Sequence, residues 1–137
     1  MRTAIDSNVI SAIWTGESSV PRLLVQLEEA RREGALLISP FVFAELHAYP
    51  SMSEALVRKF IEATGVTVDL KLEETVWTEA GLRFARYAAR RRQSFGVDPR
   101  RLLADFLVGA HALVQAERLM TLDPKVYRQD FPELRLV

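Results

Sequence analysis

Cysteine is absent from the chain, histidine occurs only twice, and glycine and proline occur six times each. Without thiols there is no disulfide framework, no thiolate nucleophile and no sulfur-ligated zinc or iron–sulfur centre. A surplus of either charge is also missing. Eighteen Lys plus Arg balance eighteen Asp plus Glu, so no global field draws the chain to nucleic acid or to an anionic membrane. Long apolar runs, low-complexity stretches and internal periods are lacking, which excludes a flexible linker and a repeat array. The start, Met1-Arg2-Thr3-Ala4-Ile5-Asp6, places a charge directly after one short apolar run. From this we expect no signal peptide, no membrane span and a soluble protein of the cytoplasm. The remaining chemistry is that of carboxylates, hydroxyls and two imidazoles.

What is present suits an ordinary globular domain: 137 residues, 49% hydrophobic and 26% charged, read as one domain over residues 1–137. Short apolar runs predict strands at Arg2 to Asp6, Ala35 to Ser39, Val66 to Val68 and Leu119 to Leu122, with a fifth at Leu134 to Val137. Between them the spacing is helical. Leu23, Leu24, Leu27 and Ala30 share one face of a helix closed by Gly34. Leu56, Phe60 and Ile61 form a stripe ending at Gly65, and Trp77, Gly81, Phe84 and Ala88 form another from about Leu72 to Arg92. Strands alternating with such helices predict an α/β three-layer sandwich around a mainly parallel sheet of four to five strands. Ser39-Pro40 and Asp98-Pro99 read as helix starts, each with a side-chain oxygen at the N-cap and proline at the first helical position.

Four carboxylates stand out against this frame. Asp6 and Asp123 follow predicted strands and so belong to the carboxyl edge of a parallel sheet, where open α/β folds bind ligands. Glu45 and Asp105 sit near the starts of helices, inside the apolar stretches Phe41-Val42-Phe43-Ala44-Glu45-Leu46 and Leu102-Leu103-Ala104-Asp105-Phe106-Leu107-Val108. A carboxylate in such surroundings is costly unless a cation compensates it, and no arginine or lysine neighbours the four in sequence. An oxygen-only donor set selects Mg²⁺ or Mn²⁺, which suits in-line displacement at a phosphodiester.

At these residues the chain resembles the PIN-domain family, and within it the VapC-like toxin ribonucleases of toxin–antitoxin pairs. The resemblance rests on Ile5-Asp6-Ser7-Asn8-Val9, Ala44-Glu45-Leu46, Asp105-Phe106-Leu107-Val108-Gly109-Ala110-His111-Ala112-Leu113, and Leu119-Met120-Thr121-Leu122-Asp123 with Phe131 beyond. It implies a PIN-like fold, an acidic quartet of Asp6, Glu45, Asp105 and Asp123 holding Mg²⁺ or Mn²⁺, and Thr121 as the small polar residue beside the last acid. It further implies an endoribonuclease with an RNA substrate and a cognate antitoxin. One departure is local: Leu122 and Pro124 flank Asp123, where family members often carry Arg or a second polar residue before the last acid.

Each feature also has a structural explanation. Asp6 reads as a strand end with Ser7 or Asn8 capping the next helix, Asp98 as an N-cap and the spare acid of the quartet, and Asp123-Pro124 as a turn. His111 lies six residues after Asp105, on the opposite side of one helix, and reads as a packed histidine, as does His47. Trp14 and Trp77 read as core or interface; apolar residues near Trp14 and from Phe41 to Leu46 predict a homodimer. Arg83, Arg86, Arg90, Arg91, Arg92, Arg100 and Arg101 face the single acid Asp98, which reads either as a solvated helix end or as a phosphate-binding rim for RNA; we take the second. Two rivals were weighed, a phospho-accepting receiver domain using Asp69 and a non-catalytic PIN-like binding module.

Overall fold

Three residues of β-branched and aliphatic type are enough to form each central strand, because both faces of the sheet are covered. The computed structural model describes residues 1–137. It runs β1 (Thr3–Ile5), α1 (Ser7–Thr15), α2 (Val20–Glu33), β2 (Leu36–Ile38), α3 (Pro40–Leu46), α4 (Glu54–Thr64), β3 (Thr67–Val68), α5 (Glu74–Gln93), α6 (Leu103–Gln115), β4 (Arg118–Met120) and α7 (Pro124–Arg128). Every residue of β1, β2 and β4 is buried, the signature of a sheet packed on both sides rather than one alternating between core and water. Arg118 is tolerated there because its guanidinium donates to Thr3 Oγ1 at 2.7 Å and meets Glu33 at 3.0 Å.

All pairings are parallel and the strand order is β3-β2-β1-β4. The chain leaves β1 toward β2 on one side and reaches β4 on the other, so the order reverses between β1 and β4. At such a switch point the flanking connections diverge and leave a crevice at the carboxyl ends of the strands. The residues immediately after β1 and β4, Asp6 and Thr121, are therefore placed at its two lips.

Local chemistry sets the helix ends. Ser39 Oγ accepts from Val42 N at 3.2 Å with Pro40 in the first helical position, as its sequence predicts. Gly65 closes α4 in the left-handed conformation, φ 71°. Gly34 ends α2 differently, in extended backbone; a Cβ there would fall 2.0 Å from Met1 O, so its role is close approach to the chain start. The core gathers 28 buried hydrophobic residues, with Phe106 meeting Phe84 and Tyr87 between α5 and α6 at ring-centroid distances of 5.3 and 5.4 Å.

Two expectations are corrected. Asp98-Pro99 does not open a helix: α6 starts at Leu103. Arg101 N is held by Tyr87 Oη at 2.6 Å and Asp98 O accepts from Arg91 Nε at 3.3 Å, which keeps the intervening chain out of helical geometry. Residues 134–137 make one bridge, Leu119 with Leu136, in place of a fifth strand. Leu134 N is spent on a turn bond to Phe131 O at 3.0 Å, leaving only the last residues free to pair.

Candidate active site

Asp6 ends β1 and caps α1, so backbone geometry aims its carboxylate into the crevice. Oδ1 accepts from Ser7 N at 2.8 Å. Oδ2 accepts from Tyr127 Oη at 2.8 Å, Thr121 Oγ1 at 2.9 Å and Asn8 Nδ2 at 3.4 Å. Asn8 also ties down the opposite lip, donating to Thr121 Oγ1 at 3.2 Å and accepting from Leu122 N at 3.1 Å. Asp6 N completes the seam with a 3.0 Å bond to Met120 O.

Burial pushes the Asp6 pKa up, and the charge of Asp105 adds to it, while the donors Tyr127, Thr121 and Ser7 pull the other way. Glu45 comes in from α3 at the open rim; partial loss of water raises its pKa, as do the charges of Asp6 and Asp105, against one bond from the Ser7 side chain. The Tyr127 hydroxyl is raised far above its ordinary value, first by burial and then by Asp6, so it stays protonated and donates. Asp105 lies in the first turn of α6, where Oδ2 accepts from Leu102 N at 3.1 Å. The charge of Asp105 thus reaches both Asp6 and Glu45, and that of Asp6 reaches Glu45.

No ion pair joins Asp6, Glu45, Asp105 or Asp123 to an arginine, lysine or histidine. Hard oxygen donors with uncompensated charge fit a divalent cation of the Mg²⁺ or Mn²⁺ type. The side chains as placed do not gather three acids or histidines tightly enough to enclose an ion. The reason is visible in their partners: Asp105 leans on the Leu102 amide, Glu45 on Ser7, and Asp6 on a hydroxyl pair. Asp123 stands further out. It is exposed, its amide donates to Thr121 Oγ1 at 3.1 Å, and it is not among the charges that act on Glu45.

Tyr127 is the site residue that sequence patterning misses. It sits in a five-residue helix rich in charge, and only the tertiary fold carries its hydroxyl to Asp6. The weak signal is its spacing to Phe131, with which it packs at 6.3 Å.

The arginine run divides. Arg83 is overturned as an RNA contact: it is 7% exposed, donates to Glu79 at 3.0 Å, Asp130 O at 2.7 Å and Glu133, and lies 4.6 Å over the Phe131 ring. Arg90 meets Asp130 at 2.7 Å and Arg101 approaches it at 3.8 Å. The counter-charge of Arg90 lies forty residues downstream and Glu133, which meets Arg83, fifty, out of view of local charge balance. Arg86, Arg91, Arg92 and Arg100 enter no ion pair. Asp69, the acid a receiver domain would phosphorylate, is committed to buried His111 at 2.9 Å and Gln115 at 2.7 Å, which also places His111 in packing. The apolar run after Phe41 is only partly available for a partner, since Val42 and Leu46 are in the core and Trp14 packs on Tyr49 and Phe60. No helix is long and apolar enough to cross a membrane.

Among curated proteins no sequence relative matches the chain. Solved structures do. The chain is similar to one in VapBC-1 from nontypeable Haemophilus influenzae, at 20% identity and TM-score 0.69, covering 100% of this chain and 97% of that one. It is similar to one in VapBC2 from Rickettsia felis bound to a DNA fragment from their promoter, at 18% identity and TM-score 0.66, covering 100% and 98%. At such identities the likeness is one of fold. A family profile described as PIN domain matches residues 3–132, nearly the whole length. With that match and the acid-lined crevice at the β1/β4 switch point, the chain belongs to the PIN domain family.

Proposed function

We propose that the protein is a divalent-metal-dependent endoribonuclease, the toxin of a toxin–antitoxin pair. One observation carries the reading: Asp6, Glu45 and Asp105 come to one edge of the sheet, near enough for the charge of Asp105 to act on both others, with no cationic side chain in ion-pair range of any of them. They are the residues to hold Mg²⁺ or Mn²⁺, with Asp123 completing the site from its rim. The ion supplies Lewis acidity to water and to the phosphate oxygens of RNA. The protein supplies placement. Tyr127 and Thr121 fix the Asp6 carboxylate in one orientation, Asn8 locks the two lips together, and the cap at Leu102 sets the register of Asp105. Arg86, Arg91, Arg92 and Arg100 are the members of the arginine run free to meet RNA phosphates.

Family membership supports nuclease chemistry, and the shared fold with chains of VapBC assemblies supports an antitoxin partner. Trp77, 52% exposed and set edge-on to Phe41 at 5.7 Å, supports homodimerisation. The test is cleavage of RNA by purified protein with and without Mg²⁺ or Mn²⁺. Asp6→Asn and Asp105→Asn abolish metal-dependent cleavage on this reading, and Asp123→Asn reduces it less. Undiminished cleavage by the first two overturns it.

A further inference from the structure

Arg91, Arg92 and Arg100 face no carboxylate within ion-pair distance, and together with Arg101 they line one cleft of about 440 Å³ whose wall includes Tyr87. No acidic residue lines it. Arg101 is partly offset by Asp130 at 3.8 Å, but the other three guanidinium groups carry no counter-charge and focus positive potential in one concavity, which an anion relieves. The walls are fixed: Arg91 Nε donates to Asp98 O at 3.3 Å, and Tyr87 Oη holds Arg101 N at 2.6 Å. Beside the cleft stands Phe95, 95% exposed at φ 54°, followed by Gly96, which lines the cleft itself. Phe95 takes this backbone as part of the cap that closes α5, where Phe95 N donates to Arg92 O at 3.3 Å and Gly96 N to Arg91 O at 2.8 Å, and the cap holds the exposed ring beside the cleft.

We propose that this cleft and Phe95 form a subsite for single-stranded RNA, in which the arginines take successive backbone phosphates and the Phe95 ring stacks on an unpaired base. A flat exposed ring beside phosphate-binding charge is the arrangement that suits unpaired nucleotides, whose π-faces a duplex keeps covered and an acidic peptide lacks. Arg101 lies four residues before Asp105, a chain reach of at most about 14 Å. Continuation of the bound strand into the carboxylate crevice rests on the nuclease reading; the cleft's own affinity for RNA does not.

The experiment titrates a short fluorescein-labelled oligouridylate with the full chain in EDTA, so that binding is read without cleavage. The double variant Arg92→Gln/Arg100→Gln flattens the dependence of log Kd on log salt by about 1.4, or about 0.7 per phosphate lost. Phe95→Ala weakens oligouridylate at least about fivefold and leaves an abasic ribose-phosphate oligomer unchanged. Both variants keep the wild-type melting curve, because the substituted side chains are outside the core. An unchanged salt slope in the arginine variant overturns the subsite, as does equal loss of both oligomers in Phe95→Ala. Loss of affinity for a polyglutamate peptide with RNA binding retained reassigns the cleft to an acidic partner and likewise overturns it. Wild-type cleavage combined with normal RNA binding by the variants sinks the subsite alone; cleft-dependent binding in a protein that never cleaves sinks the nuclease reading alone.

Discussion

Asp6 carries two loads at once, capping α1 and anchoring the crevice, and the donors around it decide how much its charge costs. Tyr127→Phe removes the 2.8 Å donor to Asp6 Oδ2 while keeping the ring in the core. Loss of a bond to a buried charge costs about 1.5–3 kcal/mol at neutral pH. That donor also holds the Asp6 pKa down, so the penalty shrinks as acid protonates Asp6; urea melts at neutral and acidic pH measure the difference. Glu45 shares the net upward direction of Asp6. Its folded pKa is raised, so the folded state takes up the proton first; its contribution is full below the unfolded pKa and falls as pH rises through the folded value. Glu45→Gln therefore melts about 1–2 °C above wild type at neutral pH, the gain being small because Glu45 is exposed, and the gap closes near about pH 4. Calorimetry across that range checks the sign. Among the arginines, Arg83→Gln strands Glu79, Glu133 and the Asp130 carbonyl and lowers stability by about 2 kcal/mol, whereas Arg100→Gln stays within about 0.5 kcal/mol of wild type in the same denaturation assay.

At the scale of elements, α6 joins the site to the core. Its first turn presents Asp105, and further along it Gly109 meets the Phe131 ring so closely that a Cβ would fall 2.6 Å from Cε2. Phe131 is 2% exposed and packed against Phe106 and Tyr127, so it cannot swing aside freely. Gly109→Ala is expected to cost about 1–3 kcal/mol by overpacking, read by thermal or urea unfolding, despite alanine's better helix propensity. Phe131 in turn supports Tyr127, so on the proposed nuclease reading the same substitution lowers cleavage by shifting the donor to Asp6. The elements themselves were largely legible: four strands and the long α5 fall where apolar periodicity places them, because each is short, fully apolar or regularly amphipathic. The start of α6 was not. Asp98-Pro99 has the composition of a helix opening, but a tyrosine fourteen residues before Arg101 captures the chain there and defers the helix to Leu103.

For the whole molecule, the parallel order β3-β2-β1-β4 collects the ends of β1 and β4, the start of α6 and one side of α3 at one edge. If that edge binds a divalent ion, Mn²⁺ at a hundredfold excess over Kd raises stability by about 2.7 kcal/mol; the rise in Tm disappears in Asp6→Asn/Asp105→Asn. Sequence alone determined the α/β class, the absence of sulfur chemistry and the acids worth watching, because periodicity, composition and a carboxylate embedded in apolar neighbours are local properties of the chain. Only tertiary structure decided which charges are already spent. Asp130 and Glu133 reach back to Arg90 and Arg83 across forty residues or more, and Tyr127 crosses the crevice to Asp6 from the far end of the chain. Electrostatic energy depends on distance in space and on local dielectric, neither of which is written in residue order.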